Sequence, residues 1–338
     1  MVSLLPVSRT DPAQDSLFRG WAAVFEASAR AAFGDEHDAW TADQLRELGR
    51  AADQRRVDLA AVEGDRVVGA VSVGLPLLDN LSLADLTLAV RPERRGSGIG
   101  SLLLRAAEEA ARAEGRTVLL AETVWPADAR DEFGEGFAAR HGYAAAQTVL
   151  RSSLSLPADR ALLGELLDRH GTDGYATRTF VGGIPKDWFA ARAELSRRMS
   201  TDVPVGDLHL EEEVWDEARV RAEYDRAVAM GRTSVDTFAV HEATGDVVGY
   251  TQVRVTDETP RVAYQQDTLV VREHRGHRLG LRLKAANTLA VMAHNAQTRV
   301  VRTWNADDNA PMLAVNRALG YHQDGHLREW QKVEPAGR

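Results

Sequence analysis

The chain has 338 residues, a net charge of −9, 44% hydrophobic and 27% charged residues, and no cysteine, the composition of an ordinary globular protein long enough for about two domains of ~150 residues. Without cysteine there can be no disulfide, no cysteine-held zinc and no covalent relay through an enzyme thiol, and the acidic balance argues against a nucleic-acid partner. No apolar run approaches the ~20 residues of a membrane span, and Met1 to Val7 lacks the basic opening and cleavage site of a signal peptide, so a cytoplasmic location is expected.

In chain order, Val2 to Val7 reads as a strand. A helix follows Asp11, with Phe18, Trp21, Ala22, Phe25 and Ala29 at helical spacing. A second helix is expected over Thr41 to Ala52. Val57 to Val62 and Arg66 to Val73 flank Glu63-Gly64-Asp65, a hairpin signal. Leu81 to Val90 is the next strand and Gly98 to Glu114 a long helix. Then come a strand over Thr117 to Glu122, a helix over Asp131 to Arg140 and a strand over Tyr143 to Leu156.

Pro157-Ala158 marks a seam, and Arg160 to His170 reads as a connecting helix. Tyr175 to Val181 reads as the first strand of a second series. Helices around Trp188 to Arg198 and Val214 to Met230 follow, then a hairpin from Phe238 to Val255 around Thr244-Gly245-Asp246. Val262 to Val271 is a strand, Leu279 to His294 a helix, Thr298 to Thr303 a strand, Asn309 to Leu319 a helix and Tyr321 to Val333 the closing strand.

The second series repeats the first. Arg95 and Arg275, Gly100 and Gly280, and Gly69 and Gly249 each stand 180 residues apart, and Gly142-Tyr143 and Gly320-Tyr321 stand 178 apart. Landmarks in one order at one offset indicate two copies of one fold. The expected architecture is α/β (α+β): two tandem domains, each a mixed, mostly antiparallel twisted sheet flanked by helices. Boundaries drawn on these landmarks are 1–157, a connecting segment 158–184, and 185–338.

Each copy places a basic, glycine-bearing loop between a β-rich strand and an Ala/Leu-rich helix. A helix start offers unpaired N–H groups and the positive end of the macrodipole, and glycines let a phosphate come close to them. The dipole alone contributes only ~0.3–1 kcal/mol per charge, so several N–H contacts must act together. The Walker tripeptide Gly-Lys-Ser/Thr is missing, and Gly96-x-Gly98-x-Gly100 has the wrong spacing for a dinucleotide fingerprint.

Arg95-x-x-Gly98-x-Gly100 matches the Gln/Arg-x-x-Gly-x-Gly/Ala signature of the GNAT acyltransferase superfamily, which this chain resembles over nearly its whole length. Its tandem layout is similar to that of mycothiol synthases. In the second copy, Arg275-Gly276-His277-Arg278-Leu279-Gly280 has Arg278 in place of the first motif glycine, a departure that bears on the local turn, although a right-handed helix N-terminus does not require glycine. Asn305, Asn309 and the run Val315 to Tyr321 resemble the family's asparagine-led helix closing on Gly-Phe/Tyr.

The resemblance implies acetyl-CoA as acyl donor. Its diphosphate would rest on Arg95, Gly96, Ser97, Gly98, Ile99, Gly100 and Ser101 in the first copy. In the second it would rest on the stretch from Arg275 to Leu281, which includes Gly276, His277, Arg278, Leu279 and Gly280, with His274 at the loop's mouth. Its pantetheine arm would lie beside the strands ending at Val90 and, past Leu269, at Val271. Asn305 and Asn309 would flank the arm, Asn309 being equally suited to cap a helix.

The reaction the resemblance implies is direct transfer to a primary amine of a small molecule in a ternary complex. A lysine-like amine of pKa ~10.4 is about one part in a thousand neutral at pH 7, a penalty of roughly 4–5 kcal/mol, so a base is needed. Asp267, next to Gln266, is the preferred candidate; Asp85 is the nearest equivalent in the first copy, and Glu122 is weaker. The family's tyrosine donor position falls on Asn316 in the second copy and Ala138 in the first, neither of them an acid. Asn316 could instead hydrogen-bond the thioester or thiol. Tyr143 and Tyr321 are expected to pack in the core. The second copy, with the richer polar set, is expected to be the catalytic one. The alternative is a non-catalytic CoA-binding or structural tandem module. No metal ligands are assigned, and the chain is expected to be a monomer or homodimer.

Overall fold

A computed structural model describes residues 1–131, 134–168, 173–202, 204–257 and 260–334. The expected helices over 131–140 and 160–170 include positions 132–133 and 169–170, outside the described residues. The elements run β1 (Val2–Pro6), α1 (Asp15–Phe33), α2 (Ala42–Leu48), β2 (Gln54–Glu63), β3 (Arg66–Pro76), β4 (Leu83–Val90), α3 (Ile99–Ala113), β5 (Val118–Pro126), α4 (Gly134–Arg140), β6 (Ala144–Ser155) and α5 (Arg160–Asp168). They continue with β7 (Tyr175–Val181), α6 (Phe189–Asp202), α7 (Glu217–Ala229), β8 (Arg232–His241), β9 (Val247–Thr256), β10 (Val262–Val270), α8 (Leu279–His294), β11 (Val300–Ala306), α9 (Ala310–Leu319) and β12 (His322–Val333). The element order expected from the sequence is present twice.

Differences lie at element ends and have local causes. The helix after Thr41 is Ala42–Leu48: Thr41 and Gln44 close a capping box at its start, and Gly49 caps its end with its N–H turned back to Leu45 O and Arg46 O. The helix expected from Val214 begins at Glu217, where the Asp216 side chain accepts from Arg219 N. β8 starts at Arg232, six residues before the expected Phe238, since Arg232 already pairs with Thr256.

Two compact units are present. One comprises Met1–Thr148, Gly206–Glu211 and His326–Arg338; the other comprises Val149–Val205 and Glu212–Gly325. Each unit thus takes a strand segment from outside its own series: the first includes the last part of β12, the second the last part of β6.

In the first unit, β1, β2, β3 and β4 pair antiparallel and β4 pairs with β5 in parallel. α3 lays Ile99, Leu103, Leu104, Ala107 and Ala111 on the sheet at helical spacing. Phe18 and Trp21 of α1 are fully buried, and Trp21 Nε1 donates to Val71 O at 3.3 Å. The β12 segment brings Trp330, 4% exposed, whose Nε1 donates to Thr123 Oγ1 at 2.9 Å.

In the second unit, β7, β8, β9 and β10 pair antiparallel, β10 pairs with β11 in parallel, and β11 pairs antiparallel with the Val149–Ser155 part of β6. α8 covers this sheet through buried Leu279, Leu283, Ala285 and Val291. Tyr143 and Tyr321 are both buried in hydrophobic clusters, as expected. No described helix is long and apolar enough to cross a membrane.

Candidate active site

The two parallel pairings in the sheets are short. β4 and β5 pair from Leu83↔Val118 to Leu86↔Ala121, and β10 and β11 only from Val262↔Val300 to Tyr264↔Arg302. Beyond these points each pair parts, and the strands' facing backbone edges leave the ladder. An opened edge of this kind can receive an extended chain carrying amide groups, as an added strand would. A loop and a helix start follow directly at the end of β4 and of β10.

In the first copy, Arg91 N bonds Val68 O at 3.0 Å, and a single 3-10 turn, Pro92–Arg94, leads into the glycines. Gly98 sits just before α3 at φ 85°, in the left-handed region. A side chain there would meet no neighbouring atom within 4 Å, so it is backbone conformation, not space, that favours glycine. Ile99 is buried and anchors the helix, so anything it offers a ligand comes from its backbone. Ser97 Oγ donates to Arg94 O at 2.6 Å, and Ser101 Oγ lies 2.9 Å from His141 Nε2. Arg95 reaches sideways, its Nη2 donating to Ser28 Oγ at 2.9 Å.

In the second copy, Val271 N bonds Val248 O at 3.0 Å and the same 3-10 turn recurs at Arg272–His274. Arg278 occupies the place of Gly98 and is also left-handed, at φ 53°. This position is therefore not a right-handed helix start at which glycine would be dispensable. The turn is kept, and the arginine carries the strain of an L-residue at positive φ, of order 1–2 kcal/mol. Arg275 bends back so that Nε donates to Val270 O at 3.0 Å, and it pairs with Asp202 at 3.4 Å. His274 Nδ1 lies 2.9 Å from the Tyr175 hydroxyl, and the rings of His241, His274 and His277 gather around Tyr175. Gly276, His277 and Arg278 are exposed, whereas Leu269, Val271 and Leu279 turn their side chains into the core.

A family model described as the acetyltransferase (GNAT) family matches residues 21–135 and 201–321. The chain belongs to the GNAT acetyltransferase family. The sequence has no significant match among curated proteins. It is similar to a solved tandem GNAT protein from the clavulanic acid biosynthesis pathway, at 30% identity and a TM-score of 0.81 over 100% of this chain and 99% of that one. It also shares its fold with a GCN5-related N-acetyltransferase from Sphaerobacter thermophilus, at 17% identity and a TM-score of 0.68 over 99% and 97% of the two chains. GNAT acetyltransferases transfer acyl groups from acyl-CoA, in general acetyl-CoA. Two left-handed loops at helix starts, each beside an opened strand pair, suit a diphosphate with an amide-bearing arm.

The two GNAT copies differ on the strand before the loop. β4 pairs with β3 in unbroken register from Asp85 to Val90. β10 does not: Gln265 opposes Val253 and Thr268 opposes Thr251, so Gln266 and Asp267 together face Gln252. This is a β-bulge, which re-aims side chains and frees backbone groups. The buried Gln265 side chain pins it, its Nε2 donating to Gln252 O at 2.6 Å and Thr251 Oγ1 at 3.0 Å.

At the bulge, Asp267 is half-buried and its Oδ2 accepts from the Tyr250 hydroxyl at 2.8 Å. Burial raises the Tyr250 phenol well above its usual value; the Asp267 carboxylate adds to this and Arg192 opposes it. Arg192 lies over the Tyr250 ring at 4.3 Å. Behind it, Tyr224 and Gln252 both donate to Asp236, at 2.8 and 2.7 Å, while burial pushes the Asp236 carboxyl up to about 6.

Asn305 and Asn309 separate in role. Asn309 caps α9, its side chain accepting from Met312 N at 3.2 Å. Asn305, on the parted stretch of β11, accepts from Asn316 Nδ2 at 2.7 Å. Asn316 in turn accepts from the Lys284 ammonium at 2.6 Å. Tyr250, Arg192 and Lys284 were not among the residues singled out in the sequence. For Lys284 a signal exists. Matching the helix starts Ile99 and Leu279 sets Lys284 on Leu104, a core leucine, so a lysine stands where the repeat requires an apolar residue.

The first copy has its own acidic group. Glu122, the residue after the last β4–β5 pair, is pushed up to about 7 by the protein crowding it, then by the charges of Asp85 and Glu329. Asp85 is also raised by crowding, with Arg56 opposing. Both Asp85 and Glu122 are exposed to solvent. Asp131, just before α4, accepts from Gly134 N at 2.7 Å and from Thr123 Oγ1 at 2.7 Å.

Proposed function

We propose that the protein is an acetyl-CoA-dependent N-acyltransferase that moves an acetyl group directly to a primary amine of a small molecule in a ternary complex, and that the second copy carries the chemistry. The observation behind this reading is the bulge of β10, which sets Asp267 at the mouth of the parted strands in that copy and has no counterpart in β4. The diphosphate would be held by the N–H groups that open α8, with Gly276, His277, Arg278 and Gly280 around them. Arg275 and His274 would stand at the rim, and the first copy's loop from Arg95 to Ser101 would offer an equivalent seat.

With no cysteine in the chain, no enzyme thiol can take the acyl group in passing, which favours direct transfer. Asp267 accepts the amine's proton, directly or through water; the nitrogen–carbon bond forms, the carbon–sulfur bond breaks, and the sulfur leaves with the electron pair. Backbone N–H groups freed by the bulge face the charge that grows on the carbonyl oxygen. The similarity to a tandem protein of clavulanic acid biosynthesis favours a small-molecule acceptor over a protein.

A second reading assigns the base to the first copy. Glu122, pushed up to about 7 first by the protein around it and then by the charges of Asp85 and Glu329, is suited to proton abstraction at neutral pH. The deciding experiment is thiol release from acetyl-CoA across a panel of primary amines, for the native chain, Asp267→Asn and Glu122→Gln, after calorimetry with CoA. The proposal expects a 10²–10³-fold loss of kcat in Asp267→Asn and little change in Glu122→Gln. The reverse result moves the chemistry to the first copy. CoA binding without thiol release for any amine leaves a non-catalytic CoA-binding module.

A further inference from the structure

Lys284 is 1% exposed, and burying an ammonium is costly unless it is well partnered. Its Nζ donates to Asn316 Oδ1 at 2.6 Å and stands 4.6 Å from the centre of the Tyr321 ring. Asn316 is 2% exposed. The fold needs neither residue. Matching Ile99 to Leu279 and Gly142 to Gly320 sets Leu104 and Ala138 at these two places in the first copy, both buried in its apolar core. The same scaffold therefore closes with a leucine–alanine contact in one copy and a buried lysine–asparagine pair in the other.

The chemistry of the pair fixes its direction. An ammonium only donates, so Asn316 must present Oδ1 to Lys284 and turn Nδ2 the other way. There Nδ2 meets Asn305 Oδ1 at 2.7 Å. Asn305 lies three residues past Arg302, where β11 leaves β10, and Asp267 lies past the matching point on β10. The carboxamide thus ends at the opening whose two sides carry Asn305 and Asp267. An NH2 group has two hydrogens, and Asn305 takes one.

We infer that Lys284 is a positioning residue that locks the Asn316 carboxamide so that its remaining N–H, backed by the lysine's positive charge, meets the sulfur that leaves the acyl group. The inference rests on the reading that the second copy is catalytic. It accounts for Asn316 standing at the position where the family's tyrosine donor is expected: the sulfur's charge is held by a fixed donor and a buried cation. Burial pushes Lys284 down to about 7, and an anion nearby would favour its charged form. The groups facing Nζ are Asn316 from α9 and the Tyr321 ring that follows it; on its own helix, Thr288 bonds only the Lys284 carbonyl, at 2.8 Å.

The test is the ionisation of CoA's own thiol, followed by ultraviolet thiolate absorbance with the full-length protein. In the native protein, bound CoA should ionise about one pH unit or more below free CoA, a tenfold shift in the equilibrium. In Lys284→Met that shift should fall by more than half. In the double variant Lys284→Leu, Asn316→Ala it should vanish, while CoA still binds and the chain, now carrying the first copy's own pair, still unfolds cooperatively. In turnover, kcat should drop and the KM for acetyl-CoA should hold. An unchanged thiol titration in folded Lys284→Met, or an unshifted thiol in the native complex, overturns the role of Lys284 alone. Failure of CoA to bind the native chain overturns the functional reading itself.

Discussion

Tyr250 and Asp267 meet across the β9–β10 ladder, the phenol donating to Asp267 Oδ2 at 2.8 Å at the point where the bulge breaks the register. Tyr250 is fully buried and has Arg192 stacked on its ring, so it cannot follow the carboxylate if that group moves. Its hydroxyl is thus a fixed peg that sets the rotamer of Asp267. Tyr250→Phe keeps the packing and removes the peg. A hydrogen bond to a charged group contributes about 1.5–3 kcal/mol; because Asp267 is half-buried and water can replace part of it, we expect a loss of about 1–2 kcal/mol in urea unfolding. With Asp267 as the base, kcat should fall about tenfold with an unchanged KM for acetyl-CoA. An unaltered kcat would show that the orientation of Asp267 does not matter.

The loops allow a test by exchange. Gly98 and Arg278 hold the same left-handed conformation, at φ 85° and 53°. Gly98→Ala should destabilise the protein by about 1–2 kcal/mol, the cost of an L-residue there. Arg278→Gly relieves a similar strain but adds freedom to the unfolded chain worth about 0.4–1 kcal/mol. The net effect should be close to zero or slightly stabilising. Thermal unfolding of both variants checks the asymmetry, and equal destabilisation would contradict it.

The first unit depends on residues far from it in sequence. The β12 segment supplies buried Trp330, the Gln331 side chain that donates to Asp207 O at 3.1 Å, and the bond from Glu334 N to Thr117 O at 2.7 Å. Losing a buried tryptophan alone costs about 3–5 kcal/mol, a large share of a domain's stability of ~5–15 kcal/mol. Residues 1–157 produced alone should therefore lack a cooperative transition, and a peptide covering 326–334 should restore it. Cooperative unfolding of 1–157 without the peptide would refute this dependence.

How much of this was legible in the sequence follows from what each feature rests on. The repeat, the hairpins and the loop–helix junctions were readable because glycine spacing and alternating apolar residues are local signals. The helix ends at Leu48 and Glu217 shifted because single residues, Gly49 and Asp216, closed the caps. The β10 bulge was not readable: it depends on Gln265 reaching across to Gln252 O, and one glutamine in a strand gives no sign of that. The strand segments taken in from the other series were hidden for the same reason, since pairing partners are chosen in three dimensions. Lys284 was hidden by habit, as lysine is common on helices; only register against Leu104 exposes it.

Lys284 also makes stability depend on pH in a definite direction. Burial brings its folded value down to about 7, against 10.5 for an ordinary lysine. Between these values the unfolded chain binds more protons than the folded one, so stability rises as pH increases from about 7 to 10. The full interval corresponds to about 5 kcal/mol as an upper bound. Other groups titrate in this range, so the measure is the difference between proteins. Compared with Lys284→Leu, Asn316→Ala, the native chain should be less stable near pH 7 and should close much of that gap by pH 10. Urea unfolding at several pH values reads it directly. Parallel stability curves would mean that Lys284 keeps an ordinary proton affinity in the folded protein, through a partner other than Asn316.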